Sequence, residues 1–315
     1  MLTTWQGSER MAKSIRLLWD DVRKNRAIYL MVLPVVLYFF IFKYFPMYGA
    51  VIAFKDFTPA KGVWGSDWVG LEHFKDFFES YYFVRVLRNT FLISFYNLVF
   101  GFPAPIILAL LLNEIRQKLF KSVVQTVSYL PHFISLIVIC GLIIDFTNRG
   151  GAASSLIAFF GGPSTPLLND AGYFRPIFVS TSIWQEMGWS SIIYLAALSG
   201  INPELYEAAK VDGAGRFRQI WSVTLPGLIP TIMILLILRI GGLMEVGFEK
   251  IVLLYNPNTY ETADVISSFV YREGLAQGND YSYTTAVGLF QSAINFVLLI
   301  SANRISRRFS GSRLW

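Results

Sequence analysis

Asn97, Gln185, Glu186, Arg239, Glu245, Gln291 and Asn295 interrupt otherwise apolar stretches of the chain. Side chains of this kind are costly against lipid and turn toward a bundle interior or a wet cavity. Sugars are held by such hydrogen-bonding groups together with flat aromatic faces, and Trp184, Trp189, Tyr194 and Phe290 lie near them in sequence. The chemistry on offer is recognition and passage of a polar solute. Interhelical hydrogen bonds and an internal Glu–Arg pair are the other use of these residues.

Covalent catalysis has little to be built from. His73 and His132 are far apart in sequence and read as ordinary polar residues, and the one cysteine, Cys140, lies in an apolar run. No disulfide, thiol metal site, zinc site or histidine triad follows. The glycine-rich stretches "NRGGAASS" and "FFGGPSTP" lack the lysine and strand context of a phosphate-cradling loop, and HExxH is absent. The reading is no enzyme, no metal and no cofactor bound by this chain.

The elements that must position the polar residues are membrane spans. With 54% hydrophobic and 15% charged residues over 315 positions, the chain is too apolar for a soluble domain. Six spans are expected, Ala27 to Phe45, Thr90 to Leu112, Val123 to Phe146, Phe174 to Leu198, Leu228 to Val246 and Thr285 to Ala302. Basic residues gather in short segments on one side: Arg10, Lys13, Arg16, Arg23, Lys24 and Arg26, then Arg116, Lys118 and Lys121, then Lys210, Arg216 and Arg218, then Arg304, Arg307, Arg308 and Arg313. That side is expected to be cytoplasmic and to hold both termini. The net charge of +6 thus reflects topology and not nucleic-acid binding. Residues 1–26 form a basic arm, amphipathic through "IRLLWDDV" or else disordered; 27–302 the spanning domain; and 303–315 a basic tail. The first span is uncleaved, since "KYFPMYG" offers no small-residue cleavage pattern. Pro34, Pro103, Pro105 and Pro131 are expected to kink helices.

Between the fourth and fifth spans runs "ELYEAAKVDGAGRFRQIWSVTLPGLIP", Glu204 to Pro230. Asn202 and Pro203 should start a helix, with Glu204 and Glu207 near its positive end. Gly213 breaks it, a second short helix carries Phe217, Ile220 and Trp221, and Pro226 turns the chain into the fifth span. Two short helices joined at a glycine make a projecting elbow, more apolar than a solvated loop requires, so a partner should cover part of it.

Glu207-Ala208-Ala209, three residues, Gly213, nine residues, Val223, one residue and Leu225-Pro226 resemble the EAA signature of permease subunits of binding-protein-dependent ABC importers. Val223 stands where isoleucine is usual, and every spacing fits. The resemblance implies an all-α membrane protein with the type I ABC importer permease fold. It also implies that residues 200–227 couple to a cytoplasmic ATPase through Glu207, Ala208, Ala209, Asp212, Gly213, Ala214, Val223, Leu225 and Pro226. The implied partners are a second, similar permease, two ATPase subunits that use ATP and Mg, an extracellular or periplasmic solute-binding protein and membrane lipid, in a bacterial plasma membrane.

"WVGLEHFKDFF" (Trp68 to Phe78), Asn89-Thr90 and "LLYNPNTYETADVISSFVYREGL" (Leu253 to Leu275) are similar to carbohydrate-type permeases, in particular those importing oligosaccharides and polysaccharide fragments. The implied cargo is an oligosaccharide, with a different solute of the same transporter class as the alternative. An ion-coupled secondary transporter is the more distant one, because no internal repeat is visible.

Overall fold

The computed structural model describes residues 21–276 and 280–309. The greater part of the expected N-terminal arm, residues 1–20, and the end of the tail, residues 310–315, lie outside the described residues. The architecture is helical, with one two-residue hairpin in which Lys55–Asp56 pairs antiparallel with Asp67–Trp68.

We number the principal helices α1 (Arg26–Phe54), α2 (Glu72–Glu79), α3 (Tyr82–Glu114), α4 (Lys118–Phe133), α5 (Leu136–Thr147), α6 (Ala152–Phe159), α7 (Ala171–Ser199), α8 (Pro203–Val211), α9 (Arg216–Gly241), α10 (Phe248–Leu254), α11 (Ile266–Tyr271) and α12 (Tyr281–Phe309). By length and composition, five stretches of the described residues suit a bilayer: α1, α3, Leu136–Phe159, α9 and Tyr281–Ser306. The expected fourth span falls on α7, which is long enough at 29 residues but is broken up by Arg175, Gln185 and Glu186.

Two expected spans differ from the structure. Val123 to Phe146 is not one helix: α4 ends two residues after Pro131, Ile134 is extended, and Ser135 restarts the chain by accepting the Val138 amide. Proline interrupts the ladder and the serine caps the next helix. Leu136–Phe159 is likewise not straight, since Gly150 at φ +80° turns the chain between α5 and α6. The expected Leu228 to Val246 span begins earlier, at Arg216, and stops at Gly241.

Proline chemistry explains three irregular turns. Phe40–Tyr44, Asn97–Gly101 and Ile220–Thr224 are π turns in which Phe45, Phe102 and Leu225 donate to carbonyls five residues back. Each donor directly precedes a proline, Pro46, Pro103 and Pro226. A proline cannot donate and its ring crowds the preceding turn, so a widened turn lets the helix continue. Pro226 therefore does not turn the chain: the second elbow helix is the first part of α9 itself.

Hydrophobic packing gathers around α7. Ile93, Ile139, Phe174, Phe178, Ile251 and Val265 form one buried cluster between α3, α5, α7, α10 and the segment before α11. A second cluster joins Phe77, Val86, Phe269 and Val287, with Phe290 at its edge. By contrast α1 buries none of its apolar window, and packs only its final turns, Tyr48–Phe54, along α12.

Candidate functional site

Two adjoining cavities run along α7, one of about 310 Å³ and one of about 450 Å³. Asn97, Ser182, Glu186 and Arg239 line both, so they stand at the junction. Ser94, Gln185, Glu245, Glu249 and Lys250 complete the polar side chains lining the first, while Gly101, Tyr194 and Leu238 belong to the second. Asn97 opens the π turn before Pro103, and Ser182 and Glu186 are one turn apart on α7. Five of the residues expected on a solute path, Asn97, Gln185, Glu186, Arg239 and Glu245, are thus brought together.

The first cavity exists because the chain leaves the helix between Gly241 and Phe248. Buried backbone that leaves the helix must find hydrogen-bond partners elsewhere. Gln291 Nε2 donates to the Met244 carbonyl at 2.7 Å, and the Met244 amide donates to Asn295 Oδ1 at 3.1 Å. Ser94 Oγ donates to the Leu243 carbonyl. Gly247 at φ +70° then admits α10, a conformation suited to glycine. Gln291 and Asn295, expected on the path, do not line either cavity; they pin the backbone that does, and Asn295 Nδ2 also reaches Glu245 Oε1 at 3.5 Å.

The two tryptophans are also placed elsewhere. Trp184 and Trp189 are exposed and line neither cavity. Trp189 stacks on His132 with ring centroids 4.7 Å apart, and His132 Nδ1 lies 3.3 Å from Glu186 Oε2 without hydrogen-bond geometry. His132 is therefore less ordinary than its isolation in sequence suggested. Phe290 packs in the aromatic cluster around Phe77, 5.6 Å between centroids.

Lys250 is the lining residue that sequence reasoning missed. It is buried, donates to Ser182 Oγ at 2.9 Å and lies 5.3 Å from the Phe178 ring centroid. A lysine flanked by apolar residues in "FEKIVLL" was a usable signal, but the segment reads as an outer loop beyond a span.

The elbow follows its sequence closely. Asn202 Oδ1 accepts the Glu204 amide at 3.0 Å, Pro203 occupies the first turn of α8, and Gly213 takes φ +76°. The Gly213 amide returns to Lys210 and the Ala214 amide to Ala209, closing the helix end. Gln219 Nε2 donates to Ala214 at 2.7 Å, and Tyr206 Oη meets Thr224 Oγ1 at 3.1 Å. Glu207, Ala208, Asp212, Gly213 and Pro226 are exposed, while Ala209, Ala214, Val223 and Leu225 are half-buried toward the bundle. Val211, Phe217 and Trp221 are 88%, 81% and 69% exposed, a large apolar surface for a solvated loop.

On the opposite rim the three carbohydrate-like blocks meet. Asn89 Nδ2 donates to the Glu261 and Asp264 carbonyls at 3.0 and 2.9 Å, and Thr90 Oγ1 accepts the Ile266 amide at 2.9 Å. The fully buried Asp264 carboxylate takes both Nη atoms of Arg272 at 2.9 and 2.8 Å, Arg85 at 3.3 Å and Ser268 at 2.8 Å. Phe77 from the first block touches Phe269 from the third.

The family model "Binding-protein-dependent transport system inner membrane component" matches residues 101–311. Protein LplB of Bacillus subtilis (strain 168) is 46% identical over 295 residues, covering 93% of this chain and 92% of that protein. The polygalacturonan/rhamnogalacturonan transport system permease protein YteP of the same organism is 48% identical over 287 residues, covering 91% and 89%. Among solved structures, a bacterial alginate ABC transporter in complex with an alginate pentasaccharide-bound periplasmic protein superposes with a TM-score of 0.86 at 44% identity, covering 94% of this chain and 99% of that one.

Proposed function

The chain belongs to the binding-protein-dependent transport system inner membrane component family, and from that premise we propose that it is one permease half of an ATP-driven importer of oligosaccharides or polysaccharide fragments. It is a multi-pass protein of the bacterial plasma membrane with the type I ABC permease fold. In this reading α7 serves as the sixth span alongside the five apolar stretches, both termini are cytoplasmic, and a second, similar permease completes the path. The cargo assignment is supported by the polygalacturonan and rhamnogalacturonan named for YteP, and by the alginate transporter, which was solved with its pentasaccharide-bound periplasmic protein.

The observation that carries the proposal is the exposed elbow, Pro203 to Pro226, at the foot of α9. Its small alanines permit close helix approach, Glu207 offers a charge, and Phe217 and Trp221 offer apolar contact. A cytoplasmic ATPase, which binds ATP and Mg and hydrolyses ATP on its own chain, is the partner this surface suits. Closure of the ATPase pair on ATP pulls the elbows inward and opens the cavity outward; hydrolysis reverses the movement.

Uptake of labelled oligosaccharide into vesicles holding the assembled transporter tests this. The expected result is uptake only with internal ATP and added binding protein. Uptake driven by a proton or sodium gradient alone would overturn it.

A further inference from the structure

Lys250 is only 5% exposed, yet it forms no salt bridge among the described residues. Its ammonium is held by Ser182 Oγ at 2.9 Å and by the face of Phe178, both neutral. A cation taken out of water without a counter-charge is costly, and an ionisable group facing the interior of a spanning bundle marks a solute route by default. Lys250 lines the first cavity beside Arg239, Glu186, Glu245 and Glu249. Those four side chains are exposed, so water screens them, whereas the lysine alone is desolvated.

The geometry points to Lys250 as the residue that recognises an anionic cargo, by holding the carboxylate of a uronate unit. This rests on the oligosaccharide-import reading above. A ligand carboxylate supplies the close counter-charge that no carboxylate among the described residues provides within salt-bridge distance of the ammonium. Arg239 backs it from the junction with the second cavity, and Glu186, Glu245 and Glu249 accept hydrogen bonds from the hydroxyls of the same unit. One carboxylate with several hydroxyls fits this mixture better than a doubly charged phosphate, which the three glutamates would repel. The first cavity, about 310 Å³, is at the small end of ligand pockets, so it takes a short piece of chain at a time. The break after Gly241 gives the arrangement its cause: it carries Lys250 back against α7, and Gly247 provides the required turn.

The test is ATP-driven uptake by the complete transporter in proteoliposomes, with binding protein, of tri-galacturonate and of its carboxyl-reduced neutral counterpart. The readout is the ratio of acidic to neutral uptake. Lys250→Met should lower that ratio at least about tenfold, the scale of losing one partner of a buried charge pair. Lys250→Arg should keep most of it. Should Lys250→Met fail to assemble, Lys250→Gln serves the same comparison. A ratio unchanged in the neutral variant, including an equal fall in both uptakes, would overturn the assignment and leave the lysine a packing residue. A wild-type transporter that takes up the neutral saccharide as well as the acidic one, or neither of them, would overturn the uronate assignment and leave the import reading to its own test.

Discussion

Tyr206 and Thr224 share a hydrogen bond of 3.1 Å that ties the first elbow helix to the foot of the following span. Thr224 is buried and Tyr206 half-buried, so force applied to α8 reaches α9 through a fixed contact and not only through the chain. Tyr206→Phe keeps the ring and removes the bond, at a cost of about 1 kcal/mol. The expected outcome is normal insertion and ATPase binding, with ATP hydrolysis stimulated less by loaded binding protein. Hydrolysis and uptake measured on one preparation check it.

Gly213 owes its place to conformation and not to crowding. Nothing lies within 4 Å of a Cβ built there, but φ is +76°. Left-handed backbone costs an L-residue about 1–2 kcal/mol, less for asparagine. Gly213→Asn is therefore expected to support uptake, whereas Gly213→Val inserts normally but uncouples hydrolysis from uptake. Equal uptake by the two variants at matched protein level would contradict this account.

The crossing of α4 with α7 depends on the missing side chain of Gly188, where a Cβ would strike the Ser128 carbonyl. Helices in membranes use small residues to approach this closely. Gly188→Ala should lower the apparent inactivation temperature of the purified transporter. Gly141→Ala, with nothing within 4 Å of its Cβ, should leave it unchanged.

At the rim opposite the elbow, Asn89 also accepts Arg175 Nη2 at 2.7 Å, so one amide joins α3, α7 and the segment before α11. Asn89→Leu strands those partners, and each buried polar group left unpaired costs about 1–3 kcal/mol. Thermal inactivation several degrees earlier is the expected result, with Asn89→Asp intermediate because it keeps the acceptor for Arg175.

The local rules were legible in the sequence. Asn202 and Pro203 announce α8, Gly213 announces its end, and apolar runs locate most spans. What escaped depends on contacts between distant segments. The stop at Gly241 is stabilised by Gln291 and Asn295 from α12, about fifty residues away. Without those partners the run through Val246 reads as uninterrupted helix, and Lys250 as an outer-loop charge. Gln291 and Asn295, whose polarity suggests a solute path in the sequence, support the wall of the first cavity in the structure. Pro226 reads as a turn in the sequence because a proline after a helical run marks a helix end as readily as a widened π turn that lets the helix continue.

The elbow's role as a docking site is tested most directly at Glu207, which is exposed on α8 one turn after Glu204. A carboxylate near a helix start gains up to about 1 kcal/mol from the dipole. Losing one partner of a partly desolvated contact with a basic group of the ATPase costs more, about 2–5 kcal/mol. The measurement is recovery of the ATPase when the permease is purified from a common membrane preparation. The account predicts that Glu207→Lys abolishes recovery and Glu207→Gln reduces it strongly, while Glu204→Gln leaves it near wild type. Equal recovery with wild type and Glu207→Lys would contradict it and make Glu207 a helix-start residue only.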